Sequence, residues 1–353
     1  MRTQKLKCIL LTFGVVFITS CSTPLLYTSL DVLRPAQVAF APGANNLLLV
    51  NNTVVQPPYQ GHITEQLNQK AKSVTIPTDS LSIYCLGALL EDVEGKDFFT
   101  TINLIPNSTN KSNDFSQIAE LDANSVKSLC QANHANVILS LDKIQVIDNM
   151  YESYVESFAV DKNTFIATIE LQFESTWSIH YLNKQDVTKV KFKDVVTWES
   201  SSDNIKQAVR ELPKRTDALI DGALTVGRKC VDRFIPYWDK VDRYFYDSKN
   251  KIMKQGMDSV YVKNWKSAIS LWESAYNTEK SRLTKSHAAN NLAIAYEITG
   301  DLDSALLYAR TSLSLLGELP MSNYDSVIRL VSYIEELTTR KKDIDSLKMQ
   351  LAE

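Results

Sequence analysis

The sequence contains no apolar run long enough to cross a bilayer, because the stretch from Cys8 to Ile18 falls well short of the ~20 residues a spanning helix needs. It also lacks a basic excess: 38 Lys and Arg against 41 Asp and Glu leave a formal net charge of -3, which argues against a nucleic-acid binder. Glycine-rich phosphate loops, a Gly-x-Ser-x-Gly elbow and Cys/His constellations are missing. The four histidines, His62, His134, His180 and His287, are scattered without the paired spacing that a metal needs. No cofactor, no metal and no enzymatic activity are therefore expected, although a triad assembled from distant residues would leave no such trace. Cysteine is scarce. Beyond Cys8 and Cys21, only Cys85, Cys130 and Cys230 are left, an odd number at spacings that suit neither a disulfide-rich scaffold nor zinc. They read as small buried hydrophobes, with a bridge between two of them as the alternative.

What is present is ordinary globular composition, 44% hydrophobic and 22% charged over 353 residues, enough for two domains with real cores. The chain opens with Met1, Arg2, Lys5 and Lys7, continues through the short apolar stretch, and closes it with Ile18, Thr19, Ser20 and Cys21. These four residues resemble the bacterial lipobox at every position. The resemblance implies cleavage before Cys21, a diacylglycerol thioether on its sulfur and an acylated amine. Each buried methylene contributes about 0.8 kcal/mol, so two or more chains hold a protein on the membrane almost permanently. Ser22 follows the cysteine where aspartate would signal retention, and Ser22 to Leu30 carries no acidic run. By resemblance to envelope lipoproteins, this implies the periplasmic face of the outer membrane.

Residues 21–36 read as a lipidated tether and Gln37 to Val55 as two short strands, with Leu47 to Val50 a continuous buried run. A helix is expected from a cap at Thr78 through Leu81, Cys85 and Leu89, and a strand from Phe98 to Ile105. Asp122 caps a second helix, and a strand follows from Val137 to Val146. Phe165, Ala167, Ile169, Leu171 and Phe173 then alternate with polar residues in the clearest strand pattern of the chain, which turns near Asn183 to Asp186 into a partner from Val187 to Trp198. Asp203 to Asp247 reads as helical, with breaks at Pro213 and Pro236 and an aromatic group from Phe234 to Tyr246. The element order over residues 37–235 resembles the small α/β domains of the peptidoglycan-synthase activators and the curli-secretion lipoprotein.

From Lys251 small and apolar residues recur in paired helices. Asn291, Leu292, Ala293, Ala295, Tyr296, Gly300, Asp301, Ala305 and Tyr308 resemble the tetratricopeptide repeat, with Ala289 and Ala309 where aromatics are usual. Gly256, Trp265, Ala268, Trp272 and Ala275 form a less regular earlier copy, and a third helix pair is expected from Tyr324 to Leu351 as a charged cap.

The expected architecture is thus α+β. A signal peptide occupies 1–20 and the tether 21–36, an N-terminal α/β sandwich with a mixed sheet and closing helix spans 37–247, and an all-α tetratricopeptide-like repeat domain spans 248–353. The layout resembles that of Bacteroidota envelope lipoproteins with a lipobox, an α/β domain and carboxy-terminal repeats. It implies a non-enzymatic adaptor or scaffold, attached to the membrane by its N-terminal lipid and binding an envelope protein. An oligomerising component of a secretion or transport assembly is the alternative. The segment Met150 to Phe158 reads as an interaction loop or a plain hairpin tip. Candidate partner-binding residues are Tyr151 and Tyr154 there, with Trp265, Trp272 and Tyr296 in the repeats.

Overall fold

The computed structural model describes residues 24–118, 120–156, 164–184, 186–319 and 324–351. The lipobox with Cys21 lies outside them, as do residues 157 and 158 of the expected interaction loop. The fold is mixed α+β, a sheet region followed by a run of helices. The chain divides into two units, one formed by residues up to Val32 together with Asp239–Lys342, the other by Leu33–Trp238 with the residues from Asp343 onward.

The tether expected at residues 21–36 is corrected. The supposed tether contains a strand, β1 (Leu25–Arg34), which pairs with β9 (Tyr237–Tyr246) in a two-stranded sheet. The expected closing helix therefore ends at Phe234, and the aromatic segment after Pro236 is extended. Exposure alternates from Tyr237 to Asp242, which suits a strand with two different faces. Tyr324–Leu351 is likewise one helix rather than a pair.

In the sheet unit, β2 (Asn46–Asn51) lies parallel between β5 (Thr101–Ile105) and β6 (Val137–Val155). Leu47 and Leu49 face the core under α1 (Leu81–Glu94) and α4 (Arg215–Phe234), whereas Leu48 and Val50 face α2 (Ala123–Ala132). Cover on both faces explains the unbroken apolar run. Only one strand arises between residues 37 and 55 where two were expected, because residues 37–45 stay irregular. Asp122 caps α2 as expected, accepting from the amides of Asn124 and Ser125. Helix α1 starts at Ser80 rather than Thr78, whose hydroxyl instead donates to the Gln56 carbonyl at 2.6 Å. Helix α4 lies so near α1 that a Cβ at Gly227 would meet the Cys85 carbonyl oxygen at 2.1 Å, so this position admits only glycine.

Strand β6 is the spine. One edge pairs antiparallel along its whole length with β7 (Thr164–Tyr181), which pairs in turn with β8 (Thr188–Ser202). The other edge takes β2 at its start and β3 (His62–Glu65) at its end, with β4 (Lys72–Ser73) beyond. Between these partners the Gln56 side chain stands in for a strand: its oxygen accepts from the Val146 amide at 2.7 Å and its nitrogen donates to the Val146 carbonyl at 2.9 Å. That substitution keeps a buried backbone pair satisfied. Past the gap, His62 and Asp148 meet at 3.1 Å with no side-chain exposure, and Arg215 completes the cluster. Cys85, Cys130 and Cys230 are buried free thiols, and burial pushes Cys230 up to about 12.

In the helical unit, α5 (Lys251–Tyr261), α6 (Trp265–Thr278), α7 (Arg282–Ile298) and α8 (Leu302–Gly317) pack in sequence, followed by α9 (Tyr324–Leu351). Asn250, Asn264, Ser281 and Asp301 cap the first four, each accepting amide hydrogen bonds of the first turn. Fully buried alanines such as Ala268, Ala275, Ala293, Ala305 and Ala309 bring these helices close together. At Gly256 a Cβ would meet the Trp272 ring nitrogen at 2.2 Å.

Candidate functional site

Open parallel sheets bind ligands where neighbouring crossovers leave a strand in opposite directions, at the carboxyl ends of the strands. Here that place is the end of β2, and the chain itself closes it. The Asn51 carboxamide donates to the Pro106 carbonyl at 2.8 Å, the Thr109 amide to the Asn51 carbonyl at 2.9 Å, and the Ser108 hydroxyl to the Thr53 carbonyl at 2.7 Å. Beneath them, buried Asp142 accepts from Asn52, Ser140 and Ser178. The carboxylate is satisfied by neutral donors, which suits a structural role. Among the described residues, no three His, Cys, Asp or Glu groups gather as a metal site would require.

The helical unit is arranged differently, because β9 lies along α7 in the manner of a bound peptide. The Asn291 carboxamide takes the Tyr246 amide at 2.8 Å and returns a bond to the Tyr246 carbonyl at 3.0 Å. Asn290 donates to the Tyr244 carbonyl at 3.0 Å. Phe245, on the opposite face of the strand, stacks on Trp272 at 5.5 Å and on Trp265 at 6.3 Å. Tyr246 stacks on the buried His287 ring at 3.7 Å between centroids. Backbone clamping with alternate side chains in separate pockets is how a groove holds an extended segment. In this unit the segment held is the chain's own.

Beside the strand lies a cavity of about 490 Å³ bounded by β9, α7 and α9. Its floor is an ion cluster. Glu297 accepts from Arg243 through two bonds of 2.8 Å, from the Tyr333 hydroxyl at 2.8 Å, and from Arg340. Burial acts to lower the basicity of Arg243, and the bond and charge of Glu297 outweigh it and raise it. Burial and then Glu297 hold the Tyr333 phenol far above its ordinary value. The wall carries Arg329, whose guanidinium lies 5.2 Å from the Tyr244 ring centroid.

The candidate residues inferred from sequence fall in several settings. Tyr151 and Tyr154 sit on β6 rather than in a loop, paired with Thr168 and Phe165; Tyr151 is half-buried and Tyr154 is 48% exposed. The strand continues there because β7 pairs with it to its end. Trp272 has no exposed surface and its ring nitrogen donates to the Met253 carbonyl at 3.2 Å, so it belongs to the core and not to a partner surface. Trp265 is half-buried against Phe245. Tyr296 is half-buried, stacked on Tyr308 at 5.6 Å, and its hydroxyl donates to Glu273 at 2.8 Å. Trp265 and Trp272 thus come together around Phe245, while Tyr296 joins a separate tyrosine group. Asn290, Glu297 and Arg329 escaped the sequence reading, whereas Arg243 belongs to the aromatic segment after Pro236. The one local signal was the polar pair Asn290–Asn291 interrupting an apolar helix.

Comparison with known proteins adds families rather than activities. Residues 254–339 match a domain of unknown function, DUF6340. A solved structure titled as a neuraminyllactose-binding hemagglutinin homologue from Helicobacter pylori aligns at 11% identity, covering 55% of this chain and 86% of its own, with a TM-score of 0.25. No curated protein matches the chain. Residues 44–246, more than half of the sequence, match the model described as Domain of unknown function (DUF8603), and the chain belongs to that family.

Proposed function

We propose that this protein is a lipid-anchored, non-enzymatic adaptor of the cell envelope that binds another envelope protein through its helical unit. The observation that carries the binding role is the asparagine clamp: a helix face that holds Tyr244–Tyr246 by its backbone has the chemistry of a peptide receptor. Paired helices of the tetratricopeptide type present such faces as a rule. The switch-point crevice, where an α/β enzyme would place its substrate, is filled by residues 106–110, which supports a role without catalysis. The anchor rests on Ile18, Thr19, Ser20 and Cys21. No helix among the described residues is long and apolar enough to cross a membrane, so the acyl groups on Cys21 are the proposed attachment.

The anchor is tested by mass analysis of the natural amino terminus and by fractionation. The wild-type chain is expected in the membrane pellet, extractable only by detergent, with a diacylglycerol-modified Cys21. Cys21→Ala is expected in the soluble fraction. An unmodified terminus, or identical fractionation of the two forms, removes the anchor from this account.

A further inference from the structure

We propose that the cavity between β9, α7 and α9 is a binding site for a carboxylate carried by a peptide. The inference rests on the adaptor function proposed above and deepens it by naming what the helical unit recognises. The Arg329 guanidinium and the Tyr244 and Tyr246 hydroxyls cluster on this wall and interact with one another, and the buried Arg329 Nε and both hydroxyl oxygens make no hydrogen bond of normal geometry. Tyr244 lines the cavity with 9% exposure, and Tyr246 is beside it, the two rings 5.6 Å apart. Arg329 spends one nitrogen on the Ser326 hydroxyl at 3.1 Å. Burial acts to lower its basicity, the two tyrosines outweigh that effect, and no carboxylate forms an ion pair with it among the described residues.

The other charges at the cavity are already engaged. Arg243 is bound by Glu297 and lies 3.5 Å from Glu336, and Asp242 accepts from the Ser29 hydroxyl at 2.6 Å. Arg329 is the lining cation that makes no ion pair among the described residues, whereas Arg243 is paired. A carboxylate carries a single charge and meets less repulsion from Asp242 and Glu336 than a dianionic phosphate would. A carboxylate also brings two acceptor oxygens that a planar guanidinium and neighbouring hydroxyls can share. Ile294, Ile328 and the Tyr333 ring supply apolar wall for the adjoining side chain. At about 490 Å³ the cavity has the size of a small-ligand site, so it takes one or two residues and not a folded surface.

The source of the carboxylate, a chain terminus or an acidic side chain, is separated by three probes titrated into the full chain by calorimetry. These are Ac-Ala-Val-Leu with a free carboxyl end, the same peptide as its amide, and Ac-Ala-Glu-Leu as an amide. At least one carboxylate peptide is expected to bind about tenfold or more tighter than the neutral amide, and Arg329→Gln to abolish that difference. Should Arg329→Gln fail to fold, Tyr244→Phe, which keeps the ring and removes the hydroxyl, is expected to weaken the preferred peptide about threefold or more. Equal binding of the neutral amide, unchanged discrimination in the folded variant, or no saturation by any probe below ~10 mM overturns the site. That failure is distinct from failure of the adaptor function: an Arg329→Gln chain that still crosslinks its partner in cells refutes only the carboxylate site.

Discussion

Replacing Glu297 with alanine is expected to destabilise the helical unit by about 3–5 kcal/mol, the range for removing one partner of a buried ion pair. The Glu297 carboxylate is fully buried, and the side chains of Arg243 and Arg340 are 9% and 18% exposed. Deleting the acid strands two guanidinium groups and the Tyr333 phenol in a place with little water. Most of the loss is the desolvation of those charges, not the value of the contacts themselves. Glu336, 3.5 Å from Arg243, limits the damage on one side. Glu297→Gln, which keeps one acceptor oxygen, is expected to fall between wild type and alanine. Urea unfolding monitored by tryptophan fluorescence measures both, and a loss under about 1 kcal/mol for alanine would show that the cluster is solvated.

The second large effect is a dependence on pH that originates at His287. This ring is 6% exposed and stacked on Tyr246, and burial lowers its pKa from 6.5 to about 4. The folded state therefore favours the neutral ring, while the unfolded chain binds the proton more readily. The contribution is fully present above pH 6.5 and is lost progressively as the pH falls toward 4. It amounts to ~3 kcal/mol, on the order of 1.4 kcal/mol for each unit. Carboxylates titrate in the same window, so the informative quantity is the difference between wild type and His287→Gln. Their stability gap is expected to shrink between pH 7 and pH 4, and a gap that stays constant would mean that the ring is protonated in place.

Much of the fold follows from local pattern. The alternation from Phe165 to Phe173 became β7, the apolar run Leu47–Val50 became a strand covered on both faces, and Asp122 capped α2. The failures share a cause, which is partnership over long sequence separation. Leu25–Arg34 follows the lipobox directly and reads as a tether until β9, some two hundred residues later, supplies its other half. Tyr237–Tyr246 reads as the end of a helical region because nothing local indicates that α7 accepts it as an extended segment. Gln56 sits before two prolines and looks like a strand breaker, yet its side chain bridges a gap in the sheet. The site was less legible still. Trp272 stands at a repeat position that reads as a partner-binding face, yet a large ring is equally what a core selects. Glu297 is one acid in an apolar helix, and only the convergence of Arg243, Tyr333 and Arg340 from other elements gives it meaning.

The central claim is that the helical unit meets a protein partner at the membrane. A photocrosslinking side chain at Ile328, half-exposed at the cavity rim, tests it in living cells against a control at Val195, exposed on β8 of the sheet unit. The account predicts one discrete protein adduct from Ile328, absent from Val195 and lost when Cys21 is replaced by alanine. Adducts of equal intensity from both positions, or an Ile328 adduct indifferent to Cys21, would contradict it.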